Sequence, residues 1–271
     1  MLRRGVLAAI AALTMVAAPL WAESDLDRLT HAMKLDEVAE ILRAEGLRYG
    51  ASIDEDMLAG QGGAHFARVI SDIYTEERIF SVVREGLQTH LNPEQLTDTV
   101  AFFESDLGQR IITLENSARR AFSDPTIEDA AMERFEATPE DDRFLQQLTR
   151  YIEINNLIEQ NVDGALTADY SFFLGMSEGQ GGERDDQGML ATILEGRDDI
   201  RADTTAWLYS FLMLAYSPLS AQEMDDNIAF SRTDAGVALN TALFEGFDDL
   251  YNGISYDLGV AVFRALQATE L

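Results

Sequence analysis

The stretch Leu91-Asn92-Pro93-Glu94-Gln95-Leu96 has the residues of a helix start. Asn92 suits the N-cap, Pro93 the first turn and Gln95 the returning half of a capping box, while Leu91 and Leu96 stand at the spacing of a hydrophobic staple. Val100, Ala101 and Phe102 then give the new helix an apolar face directed at a core. The same pattern recurs 128 positions later, with Leu219, Ser220, Glu223 and Met224 repeating staple and box, and Ile228, Ala229 and Phe230 repeating the face. Each stretch then breaks its apolar pattern with a hydroxyl residue, an acid and a glycine: Ser105-Asp106-Leu107-Gly108 and Thr233-Asp234-Ala235-Gly236. That interruption predicts a helix that ends or bends and is recapped, the glycine permitting close backbone approach. Ile111, Leu114 and Ala118 resume helical spacing beyond it.

A second register, of 119 positions, sets Leu26 to Gly63 against Leu145 to Gly182 without a gap. It pairs Leu26, Leu29 and Thr30 with Leu145, Leu148 and Thr149, Met57 with Met176, and Gly60-Gln61-Gly62-Gly63 with Gly179-Gln180-Gly181-Gly182. Such self-similarity is the mark of a duplicated architecture. It divides the chain into a first helical unit over residues 23–137 and a second over 138–271, with Thr138-Pro139-Glu140 as the expected cap of the helix opening the second. The run Trp207 to Tyr216 is too short to span a bilayer and too apolar for a surface helix, so it is expected to be the central core helix of the second unit. Alternating strand patterns are scarce. The expected fold class is all-α: two tandem homologous helical units packed as one helical-bundle-like protein, with room for a groove between them.

Residues 1–22 do not belong to that fold. Arg3 and Arg4, an apolar stretch from Gly5 to Ala17, and Ala18-Pro19-Leu20-Trp21-Ala22 form the pattern of a signal peptide cleaved after Ala22. No hydroxyl residue precedes the arginine pair in the way twin-arginine export favours, so general secretion to the periplasm or beyond is expected. Over the whole chain of 271 residues, 48 Asp and Glu stand against 20 Lys and Arg, for a formal charge of -28. Only arginines are lost with the leader, so the remainder is more acidic still. Such a polyanion is repelled by nucleic-acid phosphate and anionic lipid, and no basic cluster offsets this. There is no cysteine, hence no disulfide in an oxidising compartment, and Lys34 is the sole lysine. Carboxylates must therefore pair with arginine, and the excess suits surface adaptation to salt.

The stretch Leu91 to Gln95 followed by Ala101-Phe102-Phe103-Glu104-Ser105-Asp106-Leu107-Gly108-Gln109-Arg110 resembles the signature of the domain-of-unknown-function 2059 family. Asp106 stands where that signature often has proline. The second copy, at 219–238, is weaker, with Ser231 and Thr233 at the places of Phe103 and Ser105. The resemblance implies a helical protein exported by Gram-negative bacteria and carries no activity with it.

Few residues offer chemistry. Gly175-Met176-Ser177-Glu178-Gly179 has the spacing of a hydrolase nucleophile elbow, but all three histidines, His31, His65 and His90, precede Ser177, and that elbow needs a preceding strand and a later histidine. The histidines have no partner at helical spacing, and Leu194 stands where the calcium-loop pattern beginning near Glu183 requires an acid. No metal site, cofactor or catalytic residue is assigned. The recurrent acids Asp98 and Asp226 are weighed as a paired-carboxylate site against plain solvent-facing acids, with the second favoured. The two Gly-Gln-Gly-Gly runs are weighed as anion nests against structural turns, and nearby acids favour turns. The expected function is an exported, acidic, non-catalytic binding or scaffolding element of the cell envelope, its partner an unknown envelope protein or small ligand. Two alternatives stand beside it: a carrier of a small apolar or cationic ligand in a groove between the units, and a carboxylate-dependent hydrolase.

Overall fold

The structure, a computed structural model, describes residues 24–178 and 185–269. Thirteen helices run through these residues and no strand occurs among them, so the protein is all-α. The leader and the second Gly-Gln-Gly-Gly run, Gly179 to Gly182, lie outside the described residues, as does Glu183. The first part comprises α1 (Asp25–Ala32), α2 (Leu35–Leu58), α3 (Gly63–Ile73), α4 (Glu76–His90), α5 (Pro93–Phe103) and α6 (Asp106–Ala121). After α7 (Pro125–Ala137) come α8 (Arg143–Ile154), α9 (Leu157–Glu178), α10 (Asp186–Glu195), α11 (Arg197–Tyr216), α12 (Ala221–Ser231) and α13 (Asp234–Thr269).

The local signals are realised where the chain chemistry is strongest. Asn92 and Gln95 close the capping box of α5, and Ser220 and Glu223 close the same box on α12; both helices are 11 residues long. Ser105 and Thr233 recap the chain, each accepting from the amide of the glycine three residues on, at 3.1 and 3.0 Å. A Cβ on Gly108 would lie 2.2 Å from the Phe102 carbonyl oxygen, and one on Gly236 would lie 2.1 Å from that of Phe230. The glycine is thus required at both junctions because backbone occupies the place of a side chain.

Two details differ from expectation. The hydroxyl of Thr138 donates to the Arg134 carbonyl and its residue terminates α7, so Asp142 instead caps the next helix, accepting from Phe144 and Leu145 amides at 2.9 Å. Ala101 and Ala229 are exposed; Val100 and Phe103 supply the buried face of α5, a rotation set by packing against α1 and α13.

Helix α11 buries Leu208, Phe211, Leu212, Met213, Ala215 and Tyr216, the core role expected of it. The long helix α13 does not stay with its sequence neighbours. It lies along α9 and α4 and also meets α5 and α3, while α6 packs on α11. Consequently one core cluster joins Ile53, Ile70, Ile79 and Val83 to Leu250, Ile254, Leu258 and Val262, and another joins Ile111 and Phe122 to Leu148, Phe211 and Met224. α13 thus spans both parts, packing on α9 of its own part and closing the core around α4 in the first, while α6 contributes to the core around α11. At the seam Phe102 and Phe230, 128 positions apart, stack with ring centroids at 3.8 Å and planes within 4°. Where α9 crosses α13, Gly175 and Gly259 let backbones touch, since a Cβ on either would meet a carbonyl oxygen of the opposite helix at 2.1 Å.

A candidate ligand groove and the polar cavity beside it

The interleaving leaves open space along one side of the seam. A groove of about 540 Å³ runs between α9, α11 and α13, walled by Leu157, Ala165, Ala168, Trp207, Leu243 and Phe247. Only two charged groups line it. Arg119 is already held by Glu45 through a two-pronged contact, Nε to Oε1 at 3.0 Å and Nη2 to Oε2 at 2.9 Å. Asp248, on α13, is pushed up in pKa by burial and by the nearby acids Glu245, Asp249 and Asp163. Apolar walls with a few fixed polar groups are the ordinary build of a small-molecule site.

A smaller cavity of about 110 Å³ adjoins the groove, the two sharing Tyr151, Asn240 and Leu243 as wall. Its polar lining comes from α6, α8, α12 and α13: Glu115, Tyr151, Asn155, Asn227, Ser231 and Asn240. No cation lines it. The Tyr216 hydroxyl donates to Glu115 Oε1, and the Tyr151 hydroxyl lies 3.4 Å from that of Tyr216. Burial pushes the Glu115 carboxyl above the usual carboxylate range, opposed by the Tyr216 hydrogen bond. Burial, then the negative charge at Glu115, pushes both tyrosine hydroxyls up as well. In all three the shift is upward, the direction that burial imposes on an acidic group. Asn155 Nδ2 donates to Ser231 Oγ at 3.2 Å, and Asn240 Nδ2 donates to the Asn155 carbonyl at 3.1 Å, which ties α8, α12 and α13 together. Asn227 is different. Its side chain is buried beside the Tyr151 hydroxyl, yet its Nδ2 completes no hydrogen bond.

The residues singled out from sequence fall mostly elsewhere. Asp98 and Asp226 are exposed, and Asp226 accepts from Gln222 on its own helix; no hydrogen bond joins the two acids. Ser177 sits in the last turn of α9 with its hydroxyl donating to the Leu174 carbonyl, and no strand precedes it. His31, His65 and His90 are exposed, and no cluster of potential metal ligands occurs among the described residues. In the first glycine turn Gly60 and Gly63 have positive φ, while the Gly62 amide donates to Asp54 Oδ1 at 2.8 Å. That amide is committed to the protein's own carboxylate. Downstream, Asp185 accepts from the Gly188 amide and caps α10, a structural use of the acidic run. Trp207, at the start of the apolar run of α11, lines the groove as well.

Sequence reasoning missed Glu115, Tyr151 and Asn227. A signal was present in the registers already drawn: Ser231 stands at the position of Phe103, Asn227 at that of Thr99, and Tyr151 at that of Ala32. Polar residues replacing core positions mark a wall that is no longer plain core.

Residues 77–137 match the model of a family described as an uncharacterized protein conserved in bacteria, DUF2059. The match runs from α4 through α7, including the capped start of α5 and the recapping at Ser105, and it does not extend over the second stretch at 219–238. No curated protein and no solved structure matches the chain. Among the described residues no helix is long and apolar enough to cross a membrane.

Proposed function

We propose that this chain, carrying a DUF2059 segment, is an exported, non-catalytic binding protein of the cell envelope whose ligand site is the groove between α9, α11 and α13. The observation that carries the reading is the groove itself: about 540 Å³ of space with largely apolar and aromatic walls, beside a smaller cavity with a polar lining that shares Tyr151, Asn240 and Leu243 with it. A volume of that size suits a small organic molecule, and burial of its apolar body supplies the affinity. The expected signal peptide and the acidic surface support a periplasmic setting away from nucleic acid. The hydrolase alternative needs two carboxyl groups converging on one substrate. Glu115 faces tyrosines and amides, and Asp98 and Asp226 face solvent.

Trp207 reports on the groove. With Trp21→Phe it becomes the sole tryptophan, and titration with small apolar and amphipathic molecules is expected to shift its emission saturably. Emission unchanged by every member of such a set, with the protein folded by circular dichroism, removes the binding reading.

A further inference from the structure

Four wall positions show what the cavity is built to hold. In the registers of 119 and 128 positions, Tyr151, Asn227 and Ser231 correspond to Ala32, Thr99 and Phe103, and Glu115 corresponds to Leu243. The second set is apolar or self-satisfied: Ala32 and Phe103 are buried in one cluster and Leu243 packs against it, with Phe103 and Leu243 giving the cavity its apolar side. Thr99, fully buried, satisfies its hydroxyl on its own helix through the Gln95 carbonyl at 2.7 Å. The first set is polar at all four places and surrounds space. Asn227, 4% exposed, lines the cavity beside the Tyr151 hydroxyl and, unlike Thr99, has an Nδ2 that completes no hydrogen bond on its own helix or elsewhere. A buried donor without an acceptor is costly, and a ligand that supplies the acceptor removes the cost.

We propose that the groove and the cavity together bind a neutral amphiphile, its apolar body lying along Trp207 and Phe247 and a small hydroxyl or carbonyl head accepting from Asn227 beside Glu115. The proposal rests on the groove being a binding site. Charge selects the head. An anionic head would enter past Asp248 and stop against Glu115 with no cation in the cavity to meet it. A cationic head would leave the Asn227 donor without an acceptor and would carry its own charge out of water into the cavity, which is costly. A neutral acceptor pairs Asn227 and leaves the Glu115 to Tyr216 contact in place.

The test is a head-group series on one chain length: octanol, octanoate, octylammonium and octane, followed through Trp207 emission in the Trp21→Phe protein. Octanol is expected to bind at least about tenfold more tightly than the other three, the factor that one well-placed buried hydrogen bond supplies. Asn227→Thr, which installs the self-satisfied residue of the other wall, should abolish octanol's advantage over octane while octane binding is unchanged. Asn227→Ser serves the same purpose if the threonine variant does not fold. Tightest binding by octanoate or octylammonium overturns the head-group assignment, as does equal binding of all four, which would mean that ordered water already satisfies Asn227; in both cases the groove stands as a ligand site. Binding by none of the four overturns the groove reading and this inference with it.

Discussion

Two walls of this molecule occupy corresponding places and have opposite characters. Around α1 and α5, Leu29, Ala32, Val100 and Phe103 pack with Leu239 and Ala242 of α13 into an apolar cluster, of which Phe103 and Leu239 also border the cavity. Around α8 and α12, Tyr151, Asn227 and Ser231 meet Glu115 of α6 and enclose a polar space. α5 and α12 are alike in length and in their capping boxes, so those two helices' backbones do not set the difference. Side-chain exchange at a few positions does. The second wall holds Asn227, a buried amide without a partner, where the first has only apolar or self-satisfied residues, a division expected where a binding site trades local packing for recognition.

The comparison can be broken most severely from the apolar side. Phe103→Ser, which places the Ser231 residue in the apolar wall, removes a buried ring and introduces a hydroxyl; a loss of about 4 kcal/mol in urea unfolding is expected. Ser231→Ala on the polar side should cost about 1 kcal/mol, the value of its contact with Asn155. Equal losses would mean that the walls do not differ in packing. Next in size, Gly108→Ala and Gly236→Ala should each cost about 3 kcal/mol by forcing a Cβ against a carbonyl oxygen. Here the two sides should respond alike, because the junction is common to both.

A smaller effect separates the walls by pH. Burial raises the Glu115 carboxyl above its unfolded value, so the folded state holds the proton more tightly. Its contribution is intact below the ordinary carboxylate range and is lost as pH rises from that range through the raised folded value. Glu115→Gln cannot ionise, so its stability relative to the parent should improve as pH increases across that window. Thermal melts of both proteins at stepped pH would show the curves converging toward acid and diverging above; parallel curves would mean that Glu115 is not desolvated. The smallest change is expected from Asn92→Ala and Ser220→Ala, about 1 kcal/mol each from a lost N-cap.

What could be read from the chain was local. Capping boxes, staples and the glycine that recaps a helix involve residues within a turn or two, and Asn92, Gln95, Ser220, Glu223, Gly108 and Gly236 all do as their spacing foretells. The site was not local. Glu115 lies between Leu114 and Asn116 on a helix whose polar positions look like a solvent face, and it becomes interior only because α6 crosses to pack on α11. The cap near Thr138 failed for a related reason: Thr, Asp141 and Asp142 are all competent caps, and the hydroxyl of Thr138 is taken by the helix behind it.

The reach of α13 across both parts has a consequence for how the chain is made. The apolar faces of Ile79 and Val83 are closed by Leu250, Ile254 and Val262, which are synthesised long after them. A nascent chain stopped anywhere before α13 holds α4 and α9 with their principal partner missing. Pairings this distant in sequence form slowly, because the intervening chain must first be ordered. The core around Ile79 and Val83 is therefore closed across the sequence, whereas the cluster around Leu148 and Phe211 is assembled without α13.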